Sequence, residues 1–219
     1  MTPRSVLLVA LAAASCSEEP AKAPNPPVAG TTEPKGPLSD PDYDPLPPAV
    51  FKARIDTPEN PKPGEQVSVK EFHANGVLAT ERSEIALEGG KRVRVGPMKA
   101  YWENAAIRIE GGYDDEGKKH GRWKYWDEHG QLQREGDYDH DLMAGEWIDF
   151  YPDGQKRSQG LRIFGLSEGP WTYWHPNGKT LAQGDYVANQ REGAWQFFDE
   201  KGGPDPIRTG TYKNGAKVQ

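Results

Sequence analysis

The sequence has 219 residues, with 27 Lys and Arg against 33 Asp and Glu for a net charge of -6, and 35% of its residues in the hydrophobic set. That length allows one or two domains, the acidic balance offers no basic face for nucleic acid, and 25 Gly with 20 Pro disfavour long uninterrupted helices. A single Cys excludes an internal disulfide framework and a multi-Cys zinc site.

Residues 1-15, MTPRSVLLVALAAAS, carry one basic side chain, Arg4, and then an apolar stretch from Val6 to Ala14 that ends in small residues. This pattern is a secretory signal, too short to be a transmembrane helix. No later apolar run approaches the roughly 18 residues needed to span a bilayer. Cys16 directly follows Ala13-Ala14-Ser15. The junction resembles a bacterial lipoprotein signal with its lipobox, Ala13 standing where Leu is usual. The resemblance implies cleavage before Cys16, acylation of that residue, and an exported protein anchored by lipid to a bacterial membrane. Ser17 then favours the outer membrane in a Gram-negative cell. The alternative is an ordinary signal peptide cut near the same place, with an incidental Cys.

Residues 17-65 hold thirteen of the 20 prolines, with Tyr43 and Phe51 as the only aromatics. Such a segment buries too little apolar surface to offset its ordering entropy, so a disordered, extended tether is expected. The expected division is therefore a signal at 1-15, a lipidated Cys and linker at 16-65, and a folded domain at 66-219.

In that last part an internal repeat emerges. Trp123, Trp147, Trp171 and Trp195 are spaced 24 residues apart, each preceded two positions earlier by a Gly: Gly121, Gly145, Gly169 and Gly193. Three residues after each Trp stands another aromatic, Trp126, Phe150, Trp174 or Phe198, and seven after it a Gly. Columns kept in register this way identify a repeat array. Counting back 24 from Trp126 gives Trp102, which puts Met98 near the Trp position and Ala106 in the Gly position. Phe72 and Gly76 mark an earlier partial unit, and Gly210-Thr211-Tyr212 begins another.

Each unit has the makings of a β-hairpin. Pro152-Asp153-Gly154 and Pro176-Asn177-Gly178 supply a preset proline φ, a turn-tolerant Asp or Asn, and a Gly able to adopt positive φ. Trp123 with Tyr125, Trp171 with Tyr173 and Trp195 with Phe197 fall on one face of the incoming strand. The outgoing strand ends in Gly-x-Tyr, as at Gly136-Asp137-Tyr138 and Gly184-Asp185-Tyr186. An all-β array of stacked antiparallel hairpins, elongated and in contact mainly between neighbouring units, is expected.

These residues resemble the bacterial variant of MORN repeats found in YwqK-type proteins. Its G-x-Y…G-x-W-x-Y-aromatic…N/D-G unit is matched here by GDYVANQREGAWQFFDEKG and GGYDDEGKKHGRWKYWDEHG. The resemblance implies stacked hairpins used as interaction or scaffolding modules, and some members carry an antitoxin label. Departures are Met98 for Trp, Ala106 for Gly, Asp149 in an otherwise aromatic column, and GLRIF at Gly160 where G-x-Tyr is expected.

The Trp column, with its glycines, is assigned to the repeat core, since cross-strand aromatic pairs stabilise sheets. The second column, Trp126, Phe150, Trp174 and Phe198, points to the opposite face unless a bulge intervenes. With Tyr151 and His175 beside it, it is the candidate surface for a partner. His73, His120, His129, His140 and His175 are dispersed without the spacing of a metal pair. No motif for a nucleophile, phosphate loop or dinucleotide cofactor is present. Neither a metal nor a cofactor is expected, and the chain is expected not to be an enzyme. The leading function is a lipid-anchored envelope module that binds a protein. The alternatives are a cell-wall or glycan-binding array and an antitoxin or immunity partner, with the oligomeric state open.

Overall fold

The computed structural model describes residues 61-218. Cys16, the signal and most of the linker lie outside the described residues. Thirteen strands follow one another: β1 Gln66–Phe72, β2 Leu78–Ala86, β3 Arg92–Tyr101, β4 Ile107–Tyr113, β5 Gly121–Trp126, β6 Leu132–Asp139, β7 Leu142–Phe150, β8 Lys156–Ile163, β9 Leu166–Trp174, β10 Thr180–Val187, β11 Gln190–Phe197, β12 Gly210–Lys213 and β13 Ala216–Lys217. They form one open antiparallel sheet in chain order, each strand pairing with its neighbours in sequence. The sole helical element among the described residues is a 3-10 turn, Glu88–Gly90.

The repeat arises because one face of this sheet is aromatic. Trp123, Trp147, Trp171 and Trp195 are at most 4% exposed. Each indole lies flat on a glycine of the preceding strand. A Cβ built on Gly111, Gly136, Gly160 or Gly184 would stand 2.1 to 2.4 Å from that ring, which is why the column before the Tyr admits no side chain. The indole N–H then donates to the carbonyl of the next residue, Gly112, Asp137, Leu161 or Asp185, at 2.9 to 3.2 Å. Tyrosines pack edge-on beside them: Tyr138 lies 5.1 Å from Trp147 and Tyr186 lies 5.0 Å from Trp195, both near perpendicular. The glycines two before each Trp have φ between 61° and 72°, where the strand register breaks and a side chain would be strained.

Two kinds of turn alternate. At one end of the sheet lie five-residue turns starting at His73, Trp102, Asp127, Tyr151, His175 and Asp199. At the other end β6–β7, β8–β9, β10–β11 and β12–β13 are joined by two residues with positive φ, His140-Asp141, Phe164-Gly165, Ala188-Asn189 and Asn214-Gly215, the geometry of a type I′ hairpin. The β2–β3 and β4–β5 connections are longer; the latter is the five-residue turn Asp114 to Lys118.

This turn corrects the register expected for the earlier units. Tyr113 to Gly121 spans eight positions where Tyr138 to Gly145 spans seven, so the unit before Trp123 has 25 residues rather than 24. Ala105, not Ala106, occupies the glycine position, with φ 68°. Trp102 therefore aligns with the turn residues Asp127, Tyr151 and His175, and Tyr101 takes the place of Trp126.

The aromatic core is interrupted once. One buried cluster runs from Met98 and Ile109 to Trp147, and a second from Trp171 to Tyr212. Between them Asp149 stands in the column of Tyr125 and Tyr173, and Arg162 in that of Tyr138 and Tyr186. Asp149 accepts from Arg134 Nε at 2.5 Å and from Ser158 Oγ at 2.7 Å, and Arg134 and Asp149 are both buried.

Candidate interaction surface

The second aromatic column does not project freely from the opposite face. A bulge with its extra residue on the outgoing strand falls opposite Tyr125/Trp126 and Asp149/Phe150, and again where Trp174 meets Thr180, so the outgoing strand bends beside this column. Trp126, Phe150, Trp174 and Phe198 end half-buried at the mouths of the turns. The turn residues beside them tie one unit to the next. Tyr151 Oη donates to Trp174 O at 2.7 Å, His175 Nε2 to Phe198 O at 3.0 Å, Trp102 Nε1 to Trp126 O at 3.1 Å, and His73 Nε2 to Tyr101 O at 2.9 Å. Asn75, Asn104 and Asn177 add parallel ties to Glu103, Glu128 and Glu200 carbonyls. Tyr151 and His175 thus spend their polar atoms on the stacking of repeats.

A different surface is left exposed. Phe164, the first residue of the β8–β9 turn, is 74% exposed at φ 50°, a conformation that suits Asn or Gly and strains a bulky side chain. Around it Leu142, Leu161, Ile163, Leu166 and Val187 are 38% to 54% exposed. These positions alternate with the core-facing Met143, Arg162, Ser167 and Tyr186, so they share the outer face. Ile163 lies directly opposite Leu166. Bonds from Gly165 N to Met143 O and from Asn189 N to Ser167 O hold the three hairpin tips side by side. Acidic residues border them: Glu146 and Glu168 are both paired to Leu161, and Asp185 and Glu192 follow on the next strands. Sequence reasoning noted GLRIF as a departure but not that Phe164 sits on a turn; a Phe where other units have His140, Ala188 or Asn214 was the available signal.

The structure also brings together two histidines that spacing kept apart. His120, just before β5, and His140, in the β6–β7 turn, have ring centroids 5.9 Å apart. Asp114 is their neighbour, and one ligand-type atom of each of the three lies within 4.8 Å of the others. Backbone N–H groups of Lys118 and Glu116 donate to Asp114 Oδ1, and these bonds, that of Lys118 foremost, hold its carboxyl below the usual range.

Residues 119–140 and 167–188 match the sequence model of the MORN repeat variant. The chain carries MORN-variant repeats. The two matched segments run through the β5–β6 hairpin and the β9–β10 hairpin, the two units in which both the Trp and the Tyr of the incoming strand are present. The Asp149 hairpin between them, with aspartate in the Tyr position, is not matched. No curated protein matches the chain. MORN repeats of this kind point to a repeat-type module for binding proteins or associating with membranes.

Proposed function

We propose that the chain is a non-enzymatic interaction module, exported and held to a bacterial membrane by acylated Cys16, in the outer membrane where the cell is Gram-negative, with residues 17-65 as its tether. The MORN-variant array docks a protein of the cell envelope. The observation that carries this is the apolar patch on three adjacent hairpin tips, centred on Phe164, whose strained and exposed placement the fold does not require. Glu146, Glu168, Asp185 and Glu192 around the patch select an apolar partner surface flanked by Lys or Arg, and oppose an anionic lipid surface. The repeat tryptophans are too buried to stack on a sugar, which weighs against a glycan-binding array.

The test places a photo-crosslinking residue at position 164 in intact cells, with position 122 on another part of the sheet as control. A discrete adduct from 164 alone, abolished by Ile163→Asp with Leu166→Asp, supports docking at the patch; equal labelling at both positions, or none at 164, rejects it. For the anchor, Cys16→Ala releases the protein from membranes on fractionation, and unchanged membrane retention counts against acylation.

A further inference from the structure

We infer that Asp114, His120 and His140 form a binding site for one divalent transition-metal ion of the zinc class. Asp114 Oδ2 is buried and receives no hydrogen bond, while its other oxygen is held by the turn backbone. His140 Nε2 lies 3.7 Å from that oxygen. Two donors on a tetrahedral ion with bonds of about 2.0–2.1 Å stand roughly 3.3 Å apart, so the pair closes on an ion with little movement. The other nitrogen of His140, Nδ1, bonds Asp139 Oδ1 at 2.7 Å, and the same carboxylate oxygen lies 3.4 Å from His120 Nδ1. A carboxylate behind a histidine fixes its ring and directs the opposite nitrogen outward, the arrangement typical of metal-bound imidazole. Asp139 is thus a positioning residue. Two imidazoles and one carboxylate favour zinc, cobalt, nickel or copper over calcium or magnesium, and three protein ligands leave a position for water.

The other joints of the array show that this group is an individual feature. Glu168 and Glu192 stand 48 and 72 residues after His120, and they accept the backbone N–H of Ala188 and Asn214, the first residues of the next two-residue turns. At the third joint His120 replaces that glutamate and His140 replaces the Ala, so both carry side chains that can ligate. The longer β4–β5 turn, with its additional residue, is what carries Asp114 to meet them. No residue of the apolar patch takes part, so this site and the docking surface stand or fall separately.

The experiment titrates the purified full chain, carrying Cys16→Ser so that no thiol contributes, with Zn2+ by calorimetry, and records Co2+ absorption for the ligand geometry. One ion binds per chain at micromolar concentration and raises the melting temperature. His140→Asn, which suits the positive-φ turn, and His120→Gln each weaken binding at least tenfold while the β circular dichroism spectrum is kept. Asp139→Asn weakens it about 10- to 100-fold. A chain that binds no Zn2+ in this range, or that binds it equally well in both histidine variants, overturns the assignment.

Discussion

The hairpin around Tyr173 and the hairpin around Asp149 perform the same step of the same repeat with opposite chemistry. In the first, Trp171 stacks on Tyr173 at 6.1 Å, Tyr186 closes edge-on, and the facing residue is Ala182. In the second, Trp147 keeps its glycine and its indole bond, but the remaining aromatic places hold Asp149 and Arg162, joined by Arg134 and Ser158. Burial holds the Arg162 guanidinium below its ordinary value, and its Nε has no hydrogen-bond partner. The Trp-on-Gly contact is therefore common to the four Trp units, whereas the neighbouring places accept either aromatic or charged side chains. The aromatic core consequently consists of two segments joined by an ionic node.

The contrast can be broken most forcefully in the aromatic segment. Trp195→Ala removes the ring on which Tyr186, Phe197 and Tyr212 converge, at an expected cost of about 3–5 kcal/mol. Because contacts are between neighbours, hydrogen exchange should show β9 to β12 opening before β5 to β7. At the node, Asp149→Ala leaves Arg134 buried without its carboxylate and costs about 3 kcal/mol in denaturant unfolding. Arg134→Ile with Asp149→Tyr recreates the Ile109–Tyr125 pairing of the preceding hairpin, and is expected to be neutral or stabilising in the same assay. Ala105→Gly relieves a positive φ and raises stability by about 1 kcal/mol. The smallest effect is expected in β1 and β2. There Arg82 bonds Glu71 and Glu84, and the Arg82 hydrogen bond lowers the Glu71 pKa below its ordinary 4.5. Glu71 thus contributes stability that is complete above pH 4.5 and fades as pH falls through its folded value. The melting temperature of wild type should drop in that acid range more than that of Glu71→Gln.

The repeat was legible because Trp and Gly are each the one residue type that fills its place: a flat indole needs a strand without a Cβ beneath it. The period of 24, the hairpin and the core column follow from that. The 25-residue unit was marked only by the eight-position spacing from Tyr113 to Gly121, a signal masked because Met98 stands in for Trp and Ala105 for Gly. Phe164 and the His120–His140 pair lay in plain view as residue types, but their meeting depends on which turn tips are adjacent, and that is fixed only by the two-residue connections.

Strand pairing between sequence neighbours alone has a kinetic consequence. Every connection between the described strands is local, from two residues up to the twelve of 198–209 between β11 and β12, so no distant ends must search for one another, and each short-turned hairpin can form on the microsecond scale characteristic of such units. A chain of this design can acquire structure progressively as it emerges from a pore or a ribosome, each finished hairpin serving as the template on which the next one lands.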